Sequence, residues 1–126
     1  MKLRHLFVIN IWIAVFFGLS CAIFPGFVFW LYGVTPDEAA LWSARLVGGS
    51  ILGFATLMRF GAKSTSADSR KAIAFALLVQ DAVGFIASID FQLSGKVNAF
   101  GWLSLALYGL LTMGYAFFLF VKSDAA

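Results

Sequence analysis

The stretch AFALLVQDAVGFIASIDF, residues 74–91, decides the fold. A helix rises about 1.5 Å per residue, so about 20 apolar residues cross the roughly 30 Å hydrocarbon core of a bilayer. The run has that length and character, which predicts a membrane-spanning helix. Gln80 and Asp81 stand in its middle, where an uncompensated charge costs at least about 2.5–3.5 kcal/mol on insertion scales. The carboxylate must therefore meet something other than lipid.

The rest of the chain follows the same pattern. Of 126 residues, 62% are hydrophobic and 12% charged, against about 25% charged in soluble domains. Mean hydropathy is +0.94. Four apolar runs are long enough to span: Leu6–Leu31, Ala39–Phe60, Ala72–Leu93 and Ala99–Val121. These predict an all-α, integral membrane four-helix bundle, residues 1–126 forming a single domain with no room for a soluble one.

Turn chemistry separates the runs. Pro25-Gly26 predicts a kink or an end to the first helix near its outer boundary. In YGVTPDEAA, Thr35 is placed to cap a helix, with Pro36 at its first position and Glu38 closing a capping box. GAKSTSADSRK reads as a polar loop, and LSGKVNAFGW offers Gly95 to end the third span and Asn98 to cap the fourth. The N-terminal MKLRHLFVINIWIAVFFGLSCA has a basic start and a small-x-small ending like a cleavable signal. Its apolar part continues through IFPGFVFWLY, so it reads as an uncleaved first helix.

Charge orients the spans. Lys2, Arg4, Arg59, Lys63, Arg70, Lys71 and Lys122 fall on one side, whereas only Lys96 joins Asp37 and Glu38 on the other. The excess of Lys and Arg on cytoplasmic loops predicts that both termini are cytoplasmic. Trp30, Tyr32, Trp42 and Trp102 form the outer aromatic belt such a topology expects. The charge of +3 and pI ≈ 9.3 are thus explained by orientation, and no nucleic-acid partner is expected.

Cofactor chemistry has little to work with. One cysteine, Cys21, allows no internal disulfide, and one histidine, His5, allows no paired imidazoles for a transmembrane haem or a His-based metal site. No nucleophile–base pair or phosphate loop is visible. The expectation is no cofactor, no metal and no catalytic residue.

Helical rotation of about 100° per residue places the polar side chains. Asp81, Ser88 and Gln92 share one face, with Gly84 beside them, and Gln80 adjoins. Asp90 points the opposite way. In the second span Arg45, Gly49, Thr56 and Arg59 share a face, with Gly48 next to it and Gly49-x-x-x-Gly53 as a close-approach surface for helix packing. Arg45 lies about 6 Å in depth from Asp81, within reach of an arginine side chain. Arg45–Asp81 is the expected intramembrane ion pair, and snorkelling of Arg45 outward toward Asp90 is the alternative. Asn10 in the first span and Tyr108 and Tyr115 in the last complete a polar set that either packs or lines a ligand site.

The runs LYGVTPDEAALWSARLVGGSILGFATL, DSRKAIAFALLVQDAVGFIAS and LSGKVNAFGWLSLALYGLL together resemble a family of small four-span bacterial membrane proteins classed as a domain of unknown function. Ala44-Arg45-Leu46, Gly48 and the Asn98–Trp102 turn carry the resemblance, which implies a four-helix membrane fold in the bacterial inner membrane and no activity. The small multidrug-resistance transporters are not similar, because their carboxylate lies in the first helix and here that helix offers only Asn10. Two functions fit: a non-enzymatic protein that binds a lipid-like molecule or accompanies a larger membrane complex, with membrane lipids and further copies of itself as partners, or a minimal proton-coupled transporter or channel using Asp81 and Arg45.

Overall fold

The computed structural model describes residues 1–122, and these form helices joined by short turns. Helix α1 is Leu3–Ile23, α2 is Pro25–Leu31, α3 is Glu38–Lys63, α4 is Ala67–Leu93 and α5 is Gly101–Ala116, which runs on as a π-helical turn over Phe117–Val121. Four of these stretches are long and apolar enough to cross a membrane, the last being Gly101–Val121. The chain is therefore a multi-pass, all-helical membrane protein among its described residues. Exposed Trp12, Phe16, Val83, Ile86 and Leu110 make outward faces that suit lipid.

The break at Pro25 follows the sequence expectation, whereas the starts of α3 and α4 differ from it. The first apolar run is split, because Pro25 has no amide hydrogen to continue the ladder. The α1 bonds end where the Phe24 amide donates to Ser20 O at 2.9 Å, and Phe24 leaves helical geometry, with φ −124° and ψ 56°, before the short α2 begins. The α3 cap is Asp37, not Thr35: its carboxylate accepts from the Ala40 amide at 2.7 Å. Aspartate caps at least as well as threonine, and Glu38 follows in the first turn where the helix dipole favours acid. Helix α4 begins five residues before the apolar run, at Ala67, because the Ser66 hydroxyl accepts from the Ser69 amide at 3.2 Å and starts it within the polar segment. Gly95 ends α4 as expected, with φ +72°, a conformation that glycine adopts at little cost.

The helices pack as two antiparallel hairpins, α1 along α3 and α4 along α5. Glycines set both close approaches. A Cβ on Gly48 would lie 2.5 Å from the Ala22 backbone nitrogen and 2.7 Å from Gly18 O, and one on Gly84 would lie 2.6 Å from the Tyr108 ring. Gly49 and Gly53 have nothing within 4 Å of such a position. The expected Gly49-x-x-x-Gly53 surface therefore faces outward, and Gly48 with Gly18 does the packing.

The hairpins meet firmly only at the end that carries the basic residues. There Leu3, Leu6, Phe7, Met58, Ala74, Leu77, Leu111, Tyr115 and Phe118 form the buried core. The Tyr115 ring lies 6.1 Å from that of Phe7, Asn10 Nδ2 donates to the Tyr115 hydroxyl at 2.9 Å, and that hydroxyl donates to Met58 Sδ at 3.6 Å. One phenol thus ties α1, α3 and α5 together. Arg70, also buried, donates through Nη1 to Ser64 O at the C-terminus of α3, where a cation complements the helix dipole.

At the far end the connection is a strap. The turn after α2 bonds to the loop before α5: Asn98 Nδ2 donates to Leu31 O at 2.8 Å, and the Asn98 amide donates to Tyr32 O at 3.0 Å. The Tyr32 hydroxyl bonds to Ser104 Oγ, and its ring meets Phe100 edge-on at 5.1 Å. Asn98 Oδ1 also accepts from the Phe100 amide at 3.0 Å, which shapes the turn before α5, but the helix begins at Gly101 with Phe100 as its N-cap and no side-chain cap bond, so Asn98 is not the cap the sequence predicts.

Candidate functional site: a cleft between the hairpins

Packed at one end and strapped at the other, the hairpins leave space between them. A cavity of about 170 Å³ lies beyond the core, bounded by Asn10, Ala14, Cys21, Leu77, Gln80, Asp81, Ser104 and Tyr108 among others. A second, of about 490 Å³, continues toward the far end between Val28, Phe29, Ser88, Phe91, Gln92 and Val97. Cys21, Val28, Tyr32, Val47, Ser104 and Tyr108 line both, so the two form one partly open cleft. Its size falls within the roughly 300–1,000 Å³ of small-molecule sites, and its walls are mainly apolar with a few polar groups, as such sites are.

Asp81 lies on the wall of the inner cavity. It follows Gln80, the central residue of α4, and is 3% exposed. Its Oδ2 is buried without a hydrogen-bond partner. Gln80 Oε1 and, about three turns further along α4, Gln92 Oε1 are likewise buried and unpartnered, although Gln92 Nε2 approaches Asn98 O at 3.4 Å. Buried polar atoms normally find partners because an unmade bond costs about 1–3 kcal/mol. Three acceptors left open around one cleft are therefore a chemical feature of it.

The structure does not bring Arg45 to Asp81. Arg45 is exposed on α3 and lines neither cavity, so the ion pair expected from depth alone is not formed. The reason is the packing of α3. Gly48 turns toward α1, and the neighbouring face with Arg45, Gly49 and Gly53 turns outward. Asp90 is exposed as well.

The remaining polar residues divide between packing and cleft. Asn10 and Tyr115 are occupied by each other, with Asn10 also touching the inner cavity. Ser88 and Gln92 line the outer cavity, and Tyr108 lines both with its ring seated on Gly84. Cys21 shares the face of Asn10 and Ser104 that of Tyr108 by helical rotation, whereas Tyr32, which the sequence assigns to the aromatic belt, is not legible as a site residue. Only the break at Pro25, which lets the chain cross from α1 to α5, hints that Tyr32 returns to the bundle.

Among the described residues no three His, Cys, Asp or Glu side chains gather as metal ligands. Fold and site together define a multi-pass helical membrane protein with an internal, carboxylate-bearing cleft. No family model, curated protein or solved structure matches the chain, so its chemistry is read from the cleft itself.

Proposed function

We propose that this is a small polytopic protein of a bacterial inner membrane, of the four-span kind its sequence resembles, that binds a lipid-like hydrophobic molecule in the cleft. The observation that carries this reading is the cleft itself: mainly apolar walls within the spanning helices, leading to unpartnered polar atoms. Binding needs no catalytic group. Copurified small molecules, identified by mass spectrometry after mild extraction, test it. Cys21→Trp places a bulky ring where the two cavities meet, and the bound molecule should be lost from folded variant protein. Equal recovery from both proteins refutes the reading.

Both termini are assigned to the cytoplasm, supported by the concentration of Lys and Arg at one end of the bundle. Reporters fused after residue 126 and within residues 33–36 should then report opposite sides of the membrane. The outward face of Gly49 and Gly53 is open for a second copy of the chain or a subunit of a larger complex, since small residues let helices approach closely.

A second reading makes the protein a minimal proton-coupled transporter, favoured by the lone carboxylate at mid-helix depth. It rests on Asp81 without Arg45, which lies outside the cleft. In proteoliposomes, Asp81→Asn would then abolish proton-dependent flux.

A further inference from the structure

We infer that the ligand is a compact amphiphile bearing an ammonium group, held with its charge against Asp81 and its apolar part in the outer cavity. The inference rests on the cleft being a ligand site. It concerns which chemistry that site accepts.

Charge complementarity carries the assignment. Among the described residues no Lys, Arg or His lines either cavity, and Asp81 is the sole Asp or Glu that does. Its Oδ2 and Gln80 Oε1 are buried acceptors with no donor from the protein. An ammonium group supplies both missing terms, a positive charge and several N–H donors. The Tyr108 ring reinforces the choice. It sits on Gly84, one helical turn beyond Asp81, and aromatic faces attract cations.

The order of groups along the cleft narrows the ligand further. The sole carboxylate, Asp81, and Gln80 line the inner cavity, at mid-helix, whereas the outer cavity is walled mainly by Val28, Phe29, Phe91 and Val97, with Ser88 and Gln92 as neutral polar groups among them. A bound amphiphile would point its charge toward the centre of the membrane and its apolar part toward the boundary. Bilayer phospholipids lie the other way round, and their phosphate would meet a carboxylate. A small lipophilic amine has neither difficulty.

Three amphiphiles with one tail and different heads test this: decylammonium, decanol and decyl sulfate, each added to protein in phosphatidylcholine nanodiscs and read as mass adducts by native mass spectrometry. Decylammonium should half-saturate the protein at about tenfold lower concentration than decanol, the scale of a hydrogen bond to a charged group, and decyl sulfate should bind least. Asp81→Asn should bring decylammonium and decanol together, and Asp81→Glu should keep them apart. Equal binding of cation and alcohol to the unmodified protein overturns the inference, whether or not Asp81→Asn folds, and so does a preference that survives Asp81→Asn. If all three bind alike and Cys21→Trp removes them, the cleft is a ligand site without charge selection. Absence of any adduct overturns the ligand reading itself.

Discussion

Gly48→Ala is the most direct test of how the first hairpin holds together. The new methyl would lie 2.5 Å from the Ala22 nitrogen, 2.7 Å from Gly18 O and 3.0 Å from the Ala22 Cα. All three are backbone atoms, so no rotamer change relieves the contact. Helices α1 and α3 must separate by roughly 0.5–1 Å, a gap that forfeits a quarter to a half of each dispersion contact across it. Overpacking of this kind costs about 1–3 kcal/mol. Replacing a helical glycine by alanine also gains up to about 1 kcal/mol of propensity, which would blur a single measurement. Gly49→Ala supplies the control, because its methyl meets nothing within 4 Å while the propensity gain is shared. The difference between the two variants is then the strain alone, about 1–3 kcal/mol. Reversible unfolding in mixed micelles, followed by helical circular dichroism, reads it. Equal stability of Gly48→Ala and Gly49→Ala would refute the α1–α3 packing.

Asp81→Asn should leave the folded protein as stable or more stable by up to about 3 kcal/mol, since it removes a buried unpaired charge. Arg45→Gln should change little and the double variant should be additive; recovery of a loss in the double variant would restore the ion pair. A double-mutant cycle on Asn10→Leu and Tyr115→Phe should give a coupling of about 0.6 kcal/mol, up to about 1.7, as interhelical hydrogen bonds in membranes do. Zero coupling would remove that bond from the account. Asn98→Ala loses the bonds to Leu31 O and from the Phe100 amide and should lower stability by about 1–3 kcal/mol, whereas unchanged unfolding would show that the strap contributes nothing.

Local chemistry was largely legible in the sequence. Four apolar runs announce four spanning stretches, Pro25 announces the break, and Gly95 and Asn98 announce the last turn. Each signal acts through the backbone within a few residues, where sequence order is spatial order. At the start of α3 two local candidates compete. Thr35 and Asp37 both suit a cap, and the carboxylate that reaches the Ala40 amide prevailed. The polar stretch after Ser66 looked like loop because it leaves the apolar run, yet a serine cap was enough to begin the helix there.

Faces were legible, but their neighbours were not. Gly48 and Gly49 differ by about 100° around α3, and both belong to small-residue patterns. Which one packs depends on the shape of α1, where Gly18 provides the matching hollow. Once Gly48 takes that place, Arg45 must face outward, and depth in the membrane ceases to predict its partner. Asp81 then has no cation beside it among the described residues.

The uneven packing explains how the fold tolerates that carboxylate. A bundle closed along its whole length would bury Asp81 among apolar side chains with no route to a partner. Here the Tyr115 contacts and the surrounding core secure one end, and the Asn98 and Tyr32–Ser104 bonds secure the other. Neither set needs the middle to close. The stability lost by leaving the cleft unfilled is limited to contacts near mid-depth, and the same opening leaves Asp81 on a cavity wall. Filling the cleft should therefore stabilise the fold while removing ligand binding, and neutralising Asp81 should stabilise it while removing charge selection. A variant that gained stability and kept its charge-selective binding would separate the opening from the function assigned to it.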